Sequence, residues 1–307
     1  SPLMPVDAAE DNFAAWLFGD NAEAAATYYD ALENALCAPP PVAWAFRTPG
    51  SGSLIDLPAE ATPGHRMVNP AVYREVPEPA TGRQVAVSRY QPLVGCWRVQ
   101  AVSLIPRQLL PGGREATAEY DAIARRGLPT LSIAGLEYAL TAERVRQLLR
   151  RLCDDNIHVL HLMAKCDANG AIELQDGGLT PEQLISALAA AGWAELQVVV
   201  LSGVVKREGC CDAARALMEA LPIPAVICYQ GQPGFRSCII PFTERFYGSL
   251  GAGYDVVDAA TRARVGIRDG GRATTPDVLA PVVHVRAGID PPRIVAGDPG
   301  IEGVLAA

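Results

Sequence analysis

Two short stretches of this chain carry side chains whose types and placement could do chemistry. The first, Val159-Leu160-His161-Leu162-Met163-Ala164-Lys165-Cys166-Asp167-Ala168-Asn169-Gly170, is an apolar run that ends in an amine, a thiol and a carboxylate. The second, Val200-Leu201-Ser202-Gly203-Val204-Val205-Lys206-Arg207-Glu208-Gly209, passes through a hydroxyl into a charged turn, and Cys210-Cys211 follow. In an open α/β sheet, ligands and catalytic groups gather where strands end and loops begin. A thiolate nucleophile with a basic partner is the chemistry these residue types would support. Lys165 favours a thiolate at Cys166, and Asp167 opposes it. Cys210 and Cys211 stand at the start of a predicted helix, where the partial positive charge favours a thiolate.

Other chemistries lack their residues. Eight cysteines (37, 96, 153, 166, 210, 211, 228, 238) and four histidines (65, 158, 161, 284) show no CxxC or HxxxH spacing, so no structural metal is expected. No Walker A sequence, no GxGxxG after a strand and no GxSxG occurs, and no cofactor is expected. Several cysteines sit inside apolar runs, as in Val226-Ile227-Cys228-Tyr229, which reads as buried free thiols in a reducing cytoplasm.

The elements that must position these loops follow from periodicity. Strands are predicted at Trp97–Leu104, Val159–Met163, Val198–Leu201, Ala225–Tyr229 and Pro281–Arg286. Helices are predicted at Glu115–Arg126, Thr141–Cys153, Pro181–Ala191, Cys211–Ala220, Pro241–Leu250 and Val256–Arg264. Thr180-Pro181-Glu182-Gln183 supplies an N-cap, a first-turn proline and a capping-box glutamine. Before this alternating part, an amphipathic helix is expected at Asn12–Leu36, strands at Val42–Phe46 and Gln84–Arg89, and a surface loop over residues 60–84. Alternating strands and helices imply an α/β fold with a mostly parallel sheet covered on both faces.

The net charge of −8 argues against nucleic-acid and anionic-membrane partners. No apolar run approaches the ~20 residues needed to span a bilayer, and the N-terminal stretch lacks the basic and apolar regions of a signal peptide.

The motifs, taken in order, resemble the caspase-like CHAT peptidases, a clan CD cysteine peptidase family. Leu160-His161-Leu162 looks like the strand of its "VLHFAGHG" motif. Residues from Asp167 through Leu174-Gln175-Asp176-Gly177 look like the acidic turn and short strand that follow. Leu201-Ser202-Gly203 is similar to its "LSAC" strand end, and Pro224–Gln230 to its "PAVVAMQ". Phe242–Leu250, Asp258–Arg264 and Ala280–Arg286 look like its later helices and last strand; Leu57–Glu60 and Arg98–Pro106 look like its upstream motifs.

The resemblance covers about residues 12–287 and implies a caspase-like sheet flanked by helices. An N-terminal helix-and-strand part (1–95), an α/β core (96–287) and a tail (288–307) that is flexible or wrapped on the surface are expected. It further implies a base on the first loop and a cysteine on the second. Mapped residue by residue, the histidine position falls on Lys165 and the cysteine position on Val204. Valine has no nucleophile, and a protonated lysine is a poor base. The expectation is a catalytically inactive module that binds a protein or peptide partner, such as an active peptidase, in a bacterial signalling or defence setting. His161, Lys165, Asp167, Ser202 and Gly203 are the binding candidates. Two alternatives stay open: a cysteine peptidase using Cys166, Cys210 or Cys211, and a small-ligand sensor. His161 also reads as a buried histidine with a hydrogen-bond partner, His158 as exposed, and His284 has no assigned role.

Overall fold

Four apolar runs dictate the centre of the molecule. Residues 159–163 (VLHLM), 198–202 (VVVLS), 225–229 (AVICY) and 281–286 (PVVHVR) are buried at every position. Strands buried on both faces are what a parallel sheet covered by helices requires. The structure, a computed structural model, describes residues 43–47, 71–76, 96–105, 112–125, 129–167, 170–193, 195–202, 209–229, 233–269 and 280–294. The strands are β1 (Ala43–Arg47), β2 (Ala71–Val76), β3 (Trp97–Ser103), β4 (Leu131–Tyr138), β5 (Val159–Met163), β6 (Ile172–Leu174), β7 (Gly177–Leu179), β8 (Val198–Ser202), β9 (Ala225–Tyr229) and β10 (Pro281–Arg286). The helices are α1 (Gly112–Ala124), α2 (Ala142–Cys153), α3 (Pro181–Ala191), α4 (Gly209–Ala220), α5 (Ile240–Gly251) and α6 (Val256–Asp269), with a π-helical turn, Phe235–Ile239, leading into α5.

The main sheet has eight strands in the order β1-β2-β10-β9-β8-β5-β3-β4, and every pair is parallel except β10 with β9. The chain moves outward from β3 to β4 and then returns past β3 to β5. Such a reversal of direction, here at the carboxyl ends of β3 and β5, is where open α/β sheets commonly bind ligands. One apolar layer joins α2, α3 and α4 to Leu160, Leu162, Val199 and Leu201. The opposite layer joins α1, α5 and α6 to Val159, Met163, Val198 and Val200. The alternation along each strand therefore fills both layers from the same short segments.

Local chemistry fixes the helix ends. Thr141 accepts from the Arg144 amide at the start of α2. Thr180 and Gln183 form the predicted capping box at α3, with Pro181 in the first turn and Gly192 left-handed at its end. The Asp255 carboxylate accepts from the Val257 and Asp258 amides (2.9 and 2.8 Å) and so starts α6. Burial pushes the Asp255 carboxyl above its usual range, against the pull of those amides.

Several expectations need correction. Residues 71–76 form β2 inside the stretch expected to be a loop, because Ala71, Val72, Tyr73 and Val76 supply an extended apolar segment between Pro70 and Pro77. β4 was not expected at all. Its pairing with β3 slips between Val99 and Ala101, where Ala134 and Gly135 (φ +118°) interrupt the alternation that would have revealed it. Of the tail, residues 288–294 are described and take the surface-wrapped alternative: Pro292 O accepts from the Val256 amide, Arg293 bridges Asp255, and Ile294 is buried. The expected elements at Asn12–Leu36 and Gln84–Arg89 lie outside the described residues. Among the described residues, no helix is long and apolar enough to cross a membrane.

Candidate functional site

The carboxyl edge of β5 and β8 is where the two chemistry-bearing stretches meet. Met163 pairs with Ser202 on one side and Ser103 on the other. The ladder continues one step further, as Ala164 N–H donates to Ser202 O (2.6 Å) and Leu104 N–H to Met163 O (2.9 Å). Lys165 is thus the second residue past the paired Met163. Val204 is the second past Ser202; with Gly203 it lies outside the described residues.

From this edge the chain builds a small hairpin, β6–β7. The Lys165 ammonium meets the Glu173 carboxylate at 2.7 Å, with both side chains over two-fifths exposed, and Glu173 N–H donates to Lys165 O (2.7 Å). Asp167 closes its own turn: its Oδ1 accepts from the Ala171 amide (3.0 Å), and its carbonyl from Gly170, which is left-handed at φ 79°. At the far end of the hairpin, Gln175 N–H donates to Leu140 O, and both Asp176 oxygens accept from the Ala142 amide (3.1 Å each). Asp176 therefore completes the N-terminus of α2 from 34 residues away. The hairpin joins the exit of β5 to the start of α2 across the reversal point of the sheet.

The thiols divide by position. Cys166 bridges Ile172 and is 3% exposed, packed in the apolar layer under α2 and α3. It faces the core and not the mouth, because it follows Leu162 and Ala164 in the strand alternation. Cys210 and Cys211 lie in the first turn of α4, as expected, and their side chains lie outside the described residues.

His161 and Ser202 are beneath the mouth. Both point into the layer under α1 and α5, where each is 1% exposed. There they meet a carboxylate that the sequence reading missed. Glu119, on α1, accepts from Ser202 Oγ (2.5 Å) and Thr243 Oγ1 (3.2 Å), and the same Oε1 stands 3.0 Å from His161 Nε2. His161 Nδ1 is 2.8 Å from the Tyr247 hydroxyl. Burial, then the charge of Glu119, holds the Tyr247 phenol well above its ordinary pKa, so its proton is available to Nδ1. With Nε2–H donating to Glu119 and Nδ1 accepting from Tyr247, the imidazole is satisfied at both ends. The expected buried, hydrogen-bonded histidine is what the structure contains. As a binding residue, His161 has no free ring nitrogen and no exposed surface. The serine hydroxyl is bonded to the carboxylate and not to the imidazole, so the cluster is a sealed network and not a serine triad.

Glu119 had a signal in the sequence. It stands three residues after Ala116 and four before Ile123, both buried, and so shares the core-facing stripe of α1. Among carboxylates elsewhere on that helix it resembled an ordinary solvent-facing residue.

The other two described histidines lie away from this edge. His158 precedes β5 at its amino end, half-buried and not exposed as expected. It stacks on Trp97 and accepts from the Arg98 amide at Nδ1 (3.0 Å). Burial lowers its pKa. His284 is buried on β10, opposite Arg74 of β2 and Val226 of β9. Among the described residues, no group of three His, Cys, Asp or Glu is placed to hold a metal ion. No protein-family model matches this chain, and no curated protein matches it.

Proposed function

We propose that this chain is a catalytically inactive, CHAT-like module that binds an extended segment of a protein partner at the carboxyl edge of β5 and β8. The observation that carries the reading is the state of the position corresponding to the family's histidine. Lys165 there is tied to Glu173 in a solvent-exposed ion pair, and the neighbouring thiol of Cys166 is turned into the core. A protonated, paired ammonium accepts no proton from a nucleophile. Peptide binding by the loops at the strand ends, in contrast, relies on backbone groups and side-chain pockets, and needs neither a base nor a thiolate. The six strands from β3 to β10 in the main sheet run in the order second-first-third-fourth-fifth-sixth, all parallel but the last. That order fits the mostly parallel, caspase-like sheet the resemblance implies. The partner class in this reading is a protein, such as an active peptidase of the same signalling or defence system.

The test pairs cleavage with binding. The chain is incubated with a diverse peptide library and with candidate partner proteins, and products are read by mass spectrometry. Retention of peptides without cleavage is the expected result; cleavage lost on Cys210→Ala or Cys211→Ala would overturn it. That second outcome corresponds to one competing reading with an observation in its favour. Both cysteines stand in the first turn of α4, where the helix N-terminus favours a thiolate.

A further inference from the structure

We propose that Glu119 is the positioning residue of the carboxyl edge, fixing where β5 and β8 end and hence where the mouth begins. The opposite layer at the same edge is mainly apolar: Leu162, Ala164, Cys166 and Leu201 form a cluster with Ile172 and Leu179. On the α1 side the arrangement differs. One oxygen of a carboxylate 3% exposed gathers Ser202 from the last position of β8, His161 from β5, and Thr243 from α5; Tyr247 of α5 closes the ring through the imidazole. Hydrogen bonds are directional and apolar contacts are not. A shared acceptor therefore sets the relative height of two strands and two helices to within a hydrogen-bond length. Ser202 is the last paired residue of β8 among the described residues, and α1 fixes its height.

The groups that face Glu119 come from four elements. They are His161 from β5, Ser202 from β8, Thr243 and Tyr247 from α5, and the phenol of Tyr229 at the end of β9, whose raised pKa reflects burial first and then neighbours that include Glu119. None reaches solvent, which distinguishes a positioning role from a catalytic one.

The inference rests on the peptide-groove reading for its use but not for its test, since the measurement needs no peptide. A chain that binds nothing and still shows the effect would remove the groove and leave the positioning role intact. Amide hydrogen exchange is followed in the full chain for wild type, Glu119→Gln and Ser202→Ala. The amides of Ala164 and Leu104 report the carboxyl edge; those of His158, which donates to Arg98 O, and Arg286, which donates to Pro224 O, report the opposite edge. Glu119→Gln is expected to speed exchange at the first pair about tenfold more than at the second, and Ser202→Ala to do so at Ala164 alone. Equal acceleration at both edges, or none at either, would overturn the proposal. Should Glu119→Gln not fold, nitrogen NMR of wild-type His161 decides. A protonated Nε2 is required, and a bare Nε2 would exclude the shared acceptor.

Discussion

The molecule places two acid–base pairs within one strand of each other and treats them in opposite ways. Glu119 and His161 are sealed beneath the edge of β5, with every polar contact supplied by protein. Lys165 and Glu173 sit above the same edge at a shorter distance, 2.7 against 3.0 Å, yet in water. The shorter contact is the weaker one. In the sealed pair, removing either partner strands the others in a medium that cannot solvate them; in the exposed pair, water replaces whatever is removed. Distance alone does not rank polar contacts, and the cost of the alternative does.

The largest break in this contrast is Glu119→Ala. It leaves an imidazole and two hydroxyls without their acceptor, and a loss of about 3–5 kcal/mol is expected in urea unfolding. A loss below about 1 kcal/mol would mean that the network carries no stability. Two tyrosines sharpen the point at smaller scale. Tyr247 bonds His161 at 2.8 Å, whereas the buried Tyr229 hydroxyl has only the nearby Thr243 hydroxyl, outside ordinary hydrogen-bond geometry. Tyr247→Phe should cost about 1–3 kcal/mol, whereas Tyr229→Phe should cost less, because its hydroxyl has only the poorly placed Thr243 hydroxyl to lose. Equal losses in the two variants would contradict the assigned partners.

A third test uses pH. The folded-state pKa of His158 is depressed by burial, so its contribution is fully present above the ordinary histidine value. It is lost as the pH falls through the lowered value, when protonation breaks the bond from the Arg98 amide. Stability should fall between about pH 6.5 and lower pH, and His158→Gln should flatten that fall; an unchanged slope would assign the titration elsewhere. The effect is screened because the ring is only half-buried. Lys165→Ala should be the smallest, within about 1 kcal/mol and reduced further by salt. A larger loss would make the hairpin ion pair structural.

The sheet was legible where its strands were buried on both faces. The bounds of β5, β9 and β10 agree with the apolar runs that announced them, and Thr180-Pro181 set the start of α3. What escaped is what a period of two does not encode. β4 is an edge strand, half-exposed along most of its length, and its bulge at Ala134-Gly135 shifts the alternation midway. β2 was hidden by the proline and charge on either side. At the site, Lys165 and Ser202 could be placed from their position after apolar runs, but the direction of Cys166 depends on its pairing with Ile172, a contact made only when β6 folds back. Glu119 escaped for a related reason: its partners are 42, 83 and 124 residues away, and no local window contains them.

β10 carries a consequence for how the chain is made. Its Arg286 guanidinium donates to the carbonyls of Met218, Leu221 and Ile223, and so finishes the C-terminal end of α4. The same strand covers the open side of β9 and links it to β2, whose residues precede it by about two hundred positions. During synthesis, α4 and β9 leave the ribosome well before this strand does, and at roughly 5–20 residues per second they wait for seconds with a helix end and a strand edge unfilled. The sheet is thus closed from its middle by a late arrival, which makes that interval the period in which a nascent chain is most open to pairing with the wrong strand.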